Sequence, residues 1–311
     1  MKTCFLFPGQ GAQYPGMGKD LWEASASVKQ LFEAASDLTG KNMRKLLFDG
    51  TEEELRATDN TQVAVTLVNC AASLTLREKG ISADGCAGFS LGEYTALWEA
   101  GVLREDDLFP IVKLRGELME KASRGADTKA GPSGMAAVIG LPYEESMQVL
   151  DRLKDDNVYL ANYSSPIQVV IAGTAEGLEK ARGLFEEAGA MKYVVLKVSG
   201  PFHSPLLKEA RNGLEEALKS RTFRDPIKPV YANVTGRRIG SGDEARQRCV
   251  DQVVTTVRWV TEEQSILDEG YERIIEAGPG SVLSGLWKSF NKVLKSRPAG
   301  TLADVEKLLQ A

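Results

Sequence analysis

Two residues of the sequence, Ser90 and His203, could form a nucleophile and its base. Ser90 is the middle residue of Gly-Phe-Ser-Leu-Gly at positions 88–92, and His203 is the only histidine among the 311 residues. A Gly-x-Ser-x-Gly turn exposes a serine oxygen at the top of an α/β sheet. That oxygen becomes a good nucleophile when a base takes its proton. If the base is a histidine, it must be His203.

The glycine-flanked serine needs a strand before it and a helix after it, and the sequence predicts both. Residues 85–87 form a short apolar stretch, and residues 91–100 are typical of a helix that ends at Gly101. The pentapeptide alone is a weak signal, because a chain with 30 glycines contains it by chance in roughly a fifth of cases. The predicted strand before the pentapeptide and the predicted helix after it therefore strengthen this weak signal.

An apolar strand is predicted at residues 3–7, of the kind found at the centre of a parallel sheet. The glycine-rich loop after it, at positions 8–13, lacks the third glycine of a dinucleotide-binding fingerprint and is not a P-loop. Further predicted strands cover residues 230–232 and 273–276. The predicted helices cover residues 28–35, 61–79, 105–123, 247–254 and 281–290.

The pattern changes after a linker rich in small residues at positions 125–134. Strands are predicted at 135–139, 158–163, 168–172 and 193–198, with a turn at 164–166, and helices at 143–154 and 175–188. The order β-α-β-β-α-β is that of a ferredoxin-like unit. We therefore predict an inserted subdomain at 134–198 within a discontinuous core formed by 1–133 and 199–311.

The composition argues against several classes of protein. Hydrophobic residues make up 43% and charged residues 26%, which is typical of a globular protein, and the net charge of −5 argues against nucleic acid as a partner. The four cysteines are scattered without a Cys-x-x-Cys pair, so we expect no metal site and reduced thiols in a cytoplasmic protein. The N-terminal apolar run is too short for a signal peptide, and no segment is long enough to span a membrane.

Five short segments, taken in order, carry a family resemblance. They are Phe-Pro-Gly-Gln-Gly at 7–11, Gly-Phe-Ser-Leu-Gly-Glu-Tyr at 88–94, Arg-Gly-Glu-Leu-Met at 115–119, Gly-Pro-Phe-His-Ser at 200–204 and Glu-Ala-Gly-Pro-Gly at 276–280. With them the chain resembles the malonyl-CoA:acyl carrier protein transacylases, of the acyltransferase family of fatty acid and polyketide synthesis. The resemblance implies an α/β fold, in which an α/β-hydrolase-like core with a parallel sheet carries a ferredoxin-like insertion.

The resemblance also implies roles for individual residues. Ser90 would be the nucleophile and His203 the general base, while the backbone amides of Gln10 and Leu91 would form the oxyanion hole. Arg115 would bind the free carboxylate of a malonyl group with its planar guanidinium fork. Since an acetyl group has no such carboxylate, Arg115 would set the acyl specificity.

Three further positions bear on this resemblance. In the family a backbone carbonyl orients the histidine, and by position it would lie near Gln252, with the Asp251 side chain as an alternative. The residue before the nucleophile is usually histidine in the family, whereas this chain has Phe89. At position 202 the chain has phenylalanine, the residue that members of the wider acyltransferase family carry there when they use malonyl rather than methylmalonyl units.

The function implied is transfer of malonyl from malonyl-CoA to the phosphopantetheine thiol of acyl carrier protein through a malonyl-serine. No metal or bound cofactor is expected, because the coenzyme A thioester is a substrate. The alternatives are a freestanding acyltransferase of a polyketide synthase, an acyl-thioester hydrolase, which needs no carboxylate clamp, and a silent interaction protein. An acidic carrier protein would dock on a local basic patch, for which the candidates are Arg237, Arg238, Lys288, Lys292, Lys295 and Arg297.

Overall fold

The computed structural model describes residues 1–153 and 156–310. The strands are β1 (Thr3–Phe7), β2 (Gly85–Gly88), β3 (Gly134–Ile139), β4 (Val158–Ser165), β5 (Gln168–Gly173), β6 (Lys192–Val195), β7 (Tyr231–Ala232), β8 (Arg237–Arg238), β9 (Arg273–Glu276) and β10 (Ser296–Pro298). The helices are α1 (Lys19–Ala24), α2 (Ala26–Thr39), α3 (Met43–Phe48), α4 (Glu52–Arg56), α5 (Thr58–Glu78), α6 (Gly92–Glu99), α7 (Glu105–Gly125), α8 (Tyr143–Asp151), α9 (Ala175–Glu187), α10 (Lys208–Leu218), α11 (Gly242–Gln252), α12 (Trp259–Asp268), α13 (Val282–Phe290) and α14 (Leu302–Leu309).

A parallel sheet with the strand order β10-β9-β1-β2 forms the centre of the larger part of the chain. Both β1 and β2 are buried along their whole length, as expected for strands that are covered on both faces. Beyond β2, Val230 forms an isolated parallel bridge to Cys86, which extends the sheet towards β7. The predicted α/β core with a parallel sheet is confirmed.

The long helix α5 is buried over most of its surface and packs against α2, α6 and α7. Such a helix should be apolar all round, but this one carries Gln62 and Asn69 among its fully buried residues. Buried amides need hydrogen-bond partners. Both find theirs near the turn that carries Ser90, as described below.

The second sheet is antiparallel and has the strand order β4-β5-β3-β6. Together with α8 and α9 it has the ferredoxin-like topology, and it encloses its own apolar core with Val138, Ile171 and Phe185 at its centre. The ferredoxin-like subdomain is thus confirmed as part of the fold. The boundaries at 134 and 198 stay a prediction.

Some predicted elements end elsewhere in the structure. The strand predicted at 193–198 ends at Val195, and Leu196 and Val198 leave the sheet to line two cavities. The turn predicted at 164–166 is shifted, because β4 continues through Ser165 and Pro166 begins the turn. Proline has no amide hydrogen with which to continue the ladder.

Two predicted helices also have different bounds in the structure. The helix predicted at 143–154 is observed to Asp151, and its predicted end at Lys154 lies outside the described residues. The helix predicted at 247–254 begins earlier, at Gly242, because the Ser241 side chain caps it by accepting a hydrogen bond from the amide of Glu244. Among the described helices, none combines the length and apolarity that crossing a bilayer requires.

Candidate active site

Ser90 lies on a tight turn between β2 and α6. Its φ of 52° is in the left-handed region, which few residues other than glycine adopt. The neighbouring glycines make the turn possible, because a Cβ at Gly88 would collide with Gly92, and one at Gly92 would collide with the carbonyl of Phe7. The backbone therefore holds the serine in a strained conformation at the carboxyl end of β2.

His203 lies directly beside this serine. Its Nε2 is 2.7 Å from the Ser90 Oγ, and its Nδ1 is 2.8 Å from the backbone carbonyl oxygen of Gln252. A carbonyl oxygen can only accept, so Nδ1 carries the hydrogen and Nε2 of the neutral ring presents its lone pair to the serine. This is the tautomer that a general base for Ser90 requires.

Burial keeps His203 neutral. The side chain is only 4% exposed, and this desolvation, with a smaller contribution from the nearby Arg115 charge, lowers the pKa of His203 to about 4. The alternative orienting group, Asp251, does not contact the ring. Its carboxylate accepts a hydrogen bond from Gln247 and lies 3.9 Å from Arg211.

Gln10 and Leu91 line the same small cavity as Ser90 and His203. The loop after β1 comes so close to the turn that a Cβ at Gly9 would lie 2.5 Å from the carbonyl oxygen of Phe89. Within the part of the chain that the structure describes, neither the Gln10 nor the Leu91 backbone amide has a protein acceptor. Two free donors beside a nucleophile can stabilise a developing oxyanion.

Arg115 extends from α7 into the site and is only 1% exposed. Its Nη1 donates to Gln62 Oε1 at 2.8 Å, and its Nη2 donates to Gln252 Oε1 at 2.9 Å and to Ser90 Oγ at 3.3 Å. Within residues 1–153 and 156–310, no carboxylate lies within ion-pair distance of the guanidinium. A buried cation without a counter-ion is unfavourable, so the site is suited to a ligand that brings a negative charge.

Sequence reasoning missed the residue that holds the turn itself. The Asn233 side chain accepts a hydrogen bond from the Ser90 amide at 2.6 Å and donates to the Gly88 carbonyl at 2.7 Å and to Glu262 at 2.7 Å. It thereby fixes the backbone on the N-terminal side of the strained serine. Asn233 lies directly after the buried strand β7, but a lone asparagine there carried no pattern that would have singled it out.

Glu93, Gln62 and Asn69 were missed as well. Glu93 belongs to the segment at 88–94, yet its position in α6 did not reveal that it is fully buried and bonded to Gln252. The signal for the other two was available, because amides on the buried surface of a helix need hydrogen-bond partners. Asn69 donates to the carbonyl of Pro8 at 2.9 Å, which fixes the start of the glycine-rich loop.

Two connected cavities lead to the serine. The inner one, of about 90 Å³, contains Ser90, His203 and Arg115. The outer one, of about 410 Å³, shares Gln10, Phe89, Leu196 and Val198 with it. The Phe89 ring stacks at a tilt on Trp259, with 5.4 Å between ring centroids. A short acyl group fits the inner cavity, and an extended arm fits the outer one.

No metal is implied by the side chains, since the residues that the structure describes contain no cluster of three or more His, Cys, Asp or Glu placed to hold an ion. The fold and the serine–histidine pair beside two amides without a protein acceptor are typical of an α/β enzyme that acts on acyl groups through a serine.

Comparison with known proteins agrees with this class. The acyl transferase domain family matches residues 4–306. The malonyl CoA-acyl carrier protein transacylase of Bacillus subtilis (strain 168) is 39% identical over 311 residues, which cover 99% of this chain and 96% of that protein. The chain belongs to the acyl transferase family and, within it, to the malonyl CoA-acyl carrier protein transacylases.

Solved structures resemble the whole chain. A malonyl-transacylase in complex with a type II PKS acyl-carrier protein has a TM-score of 0.94 at 35% identity, covering 100% of this chain and 99% of that one. The malonyl-CoA:acyl carrier protein transacylase of Xanthomonas oryzae pv. oryzae has a TM-score of 0.93 at 37% identity, with coverage of 100% and 99%.

Proposed function

We propose that the protein transfers the malonyl group of malonyl-CoA to the phosphopantetheine thiol of acyl carrier protein, for fatty acid synthesis, through an ester on Ser90. The observation that carries this proposal is Arg115, a buried cation that has no counter-ion among the described residues and whose Nη2 lies 3.3 Å from the Ser90 Oγ. A malonyl group on Ser90 brings a carboxylate into reach of this guanidinium, whereas an acetyl group brings none.

The first half-reaction begins with attack of the Ser90 Oγ on the thioester carbonyl while His203 Nε2 takes the hydroxyl proton. The carbonyl oxygen becomes an oxyanion, which the amides of Gln10 and Leu91 stabilise. When the tetrahedral intermediate collapses, the carbon–sulfur bond breaks, His203 returns the proton to the leaving sulfur, and coenzyme A departs as a thiol. The Gln252 carbonyl stabilises the imidazolium that forms transiently.

The second half-reaction runs the same steps in reverse with a different thiol. The phosphopantetheine thiol of the carrier protein gives its proton to His203 and attacks the malonyl ester, and Ser90 leaves with that proton. Both substrates present the same kind of flexible arm, and the outer cavity is wide enough for it. These steps use no metal and no bound cofactor, since the coenzyme A thioester is a substrate.

One alternative has a specific observation behind it. The similarity to a malonyl-transacylase solved with a type II PKS acyl-carrier protein favours a freestanding enzyme of polyketide synthesis as the second candidate. It would use the same site and the same chemistry. A thioester hydrolase is disfavoured because hydrolysis of stray acyl chains needs no buried arginine. A silent interaction protein is disfavoured because the serine–histidine hydrogen bond is intact.

We also propose a cytoplasmic location, where Cys4, Cys70, Cys86 and Cys249 would stay reduced. All four are buried and free in the structure, and burial raises their pKa above the usual range. Neutral buried thiols of this kind act as small apolar side chains.

Incubation with radiolabelled malonyl-CoA, followed by transfer to phosphopantetheinylated carrier proteins, tests the function. We expect a malonyl adduct on Ser90 and label on the carrier protein, with the fatty acid carrier accepting faster than a polyketide carrier. Faster transfer to the polyketide carrier would favour the second candidate. Free malonate without labelled carrier would instead establish a hydrolase.

A further inference from the structure

Gln252 connects the buried arginine to a buried carboxyl group. Its Oε1 accepts from Arg115 Nη2 at 2.9 Å, and its Nε2 donates to Glu93 Oε2 at 2.6 Å. The same Nε2 is 3.0 Å from the Ser90 carbonyl oxygen. One amide side chain therefore links the cation of the site, the backbone of the nucleophile and an acid that the reaction steps do not use.

Glu93 is the closest match to the missing counter-ion. Its side chain is fully buried, and Oε2 also accepts from the Asn233 amide at 3.1 Å. The other oxygen, Oε1, has no hydrogen-bond partner within the described residues. A carboxyl group with one free oxygen can stay ionised or bind a proton at that oxygen. Its protonation state can therefore respond to the charges around it.

We propose that Glu93 balances the charge of Arg115 in the free enzyme through Gln252, and that it takes up one proton when the malonyl carboxylate reaches Arg115. This inference rests on the proposed function. Two carboxylates would otherwise share one buried guanidinium, and their repulsion would weaken malonyl loading. The proton comes from solvent, goes to the Glu93 carboxyl group and leaves when the malonyl group is transferred. Glu93 is thus a positioning residue that acts through Gln252.

The surroundings of Glu93 single it out as the group that can change charge near neutral pH. The titratable and charged groups that face it are Tyr94 of α6, Arg115 of α7, Arg248 and Cys249 of α11, and Glu262 of α12. The two arginines stay charged. Burial raises the pKa of Tyr94 and Cys249 well above the usual range, so these two stay neutral, and it raises the pKa of Glu262 in the same direction.

The pKa of Glu93 itself is raised to about 7, because burial outweighs the hydrogen bonds from Gln252 and Asn233 and the charge of Arg115. A malonyl carboxylate on Arg115 raises it further. Below pH 7 most of the Glu93 carboxyl groups are already protonated, so malonyl loading takes up few further protons. At pH 7 we expect an uptake of at most about half a proton per acylated site, because half of Glu93 is already protonated there, and a larger uptake at pH 8. Loading should therefore weaken as the pH rises above 7.

A pH indicator in weakly buffered solution measures this uptake directly, while intact-mass spectrometry counts the malonyl-enzyme in the same samples. Serine acylation by a thioester is proton-neutral at these pH values, so any uptake belongs to the protein. In the wild-type enzyme, malonyl-CoA should give the uptake and acetyl-CoA should not. In Glu93→Gln the uptake should be lost, and in Glu93→Asp it should be partly restored.

Glu263→Gln is the matched control, because Glu263 is a buried glutamate of α12 whose two oxygens contact neither Gln252 nor Asn233. It should keep the wild-type uptake. An adduct that forms without uptake in the wild type between pH 7 and 8 would overturn the inference, as would uptake that persists in Glu93→Gln. The comparison of malonyl-CoA with acetyl-CoA in the wild-type enzyme does not depend on whether any variant folds. If no malonyl adduct forms at all, it is the proposed function that fails.

Discussion

Replacing Arg115 by alanine should reverse the acyl preference of the enzyme rather than abolish its activity. Arginine has five N–H donors, and three hydrogen bonds to Gln62, Gln252 and Ser90 occupy part of this fork. The remaining N–H donors of Arg115 can donate to a malonyl carboxylate, and so can the Nη2 hydrogen that bonds weakly to Ser90. A hydrogen bond to a charged group contributes roughly 1.5–3 kcal/mol, which corresponds to about ten- to a hundred-fold in kcat/KM.

Acetyl-CoA has no carboxylate to lose, and in the variant it no longer approaches an unpaired buried cation. Its kcat/KM should therefore stay level or rise. Because Arg115 contributes to the lowered pKa of His203, the assay is best run at pH 8, where the imidazole is neutral in both proteins. Single-turnover acylation with each thioester gives the two values of kcat/KM directly.

The controls separate charge from geometry. Arg115→Lys keeps the charge but loses the planar fork, so its preference for malonyl-CoA should lie between those of wild type and Arg115→Ala. Arg124→Ala removes an exposed arginine of the same helix, which pairs only with Glu120 on the surface, and should change neither rate. If Arg115→Ala lowers kcat/KM equally for both thioesters, the arginine is structural and the specificity argument is wrong.

Four further predictions concern the nucleophile, the base and its pH dependence, and the carrier protein. Ser90→Ala should abolish the malonyl adduct seen by intact-mass spectrometry, and an adduct that persists would place the ester on another residue. His203→Ala should slow acylation by several orders of magnitude with little change in binding. In the wild type, lowering the pH from 7 to 5 should not reduce acylation, because the base is lost only as the pH falls through about 4; loss near pH 6.5 would contradict the buried neutral imidazole. Transfer to an acidic carrier protein should slow at high salt and in the charge-reversal variant of Lys288, Lys292 and Lys295, which line one cavity beside α13; a rate that is flat in salt would exclude steering.

The parts of the fold that sequence could predict are those with strong local patterns. The strand at 3–7, the strand at 273–276 and the β-α-β-β-α-β order needed only periodicity and glycine positions. The edge strands β8 and β10 carry no such pattern, because they have only two and three residues and form through pairing with β7 and β9. Helix α12 was also missed, since the turn before it is fixed by contacts to Asn233 rather than by a local cap.

The candidate site divides in the same way. Ser90 and His203 stand out by motif and by composition, and Gln10, Arg115 and Gln252 by family resemblance. What no local pattern could supply is the buried hydrogen-bond network beneath them, because its members come from separate segments of the chain. Asn233 and Glu93 acquire their importance only when β7, α6 and α11 meet behind the nucleophile.

This network explains how the Arg115 guanidinium can be buried and still be free to bind a substrate carboxylate. A carboxylate bonded directly to Arg115 would satisfy the guanidinium permanently, and a malonyl group would then have to displace it. Glutamine oxygens from α5 and α11 accept from two of the N–H donors but bring no charge, so the positive charge stays available to a substrate. The carboxyl group of Glu93 is linked to the guanidinium only through Gln252. If Arg115 binds the malonyl carboxylate as proposed, amides as its direct partners would let a buried arginine distinguish a malonyl from an acetyl group.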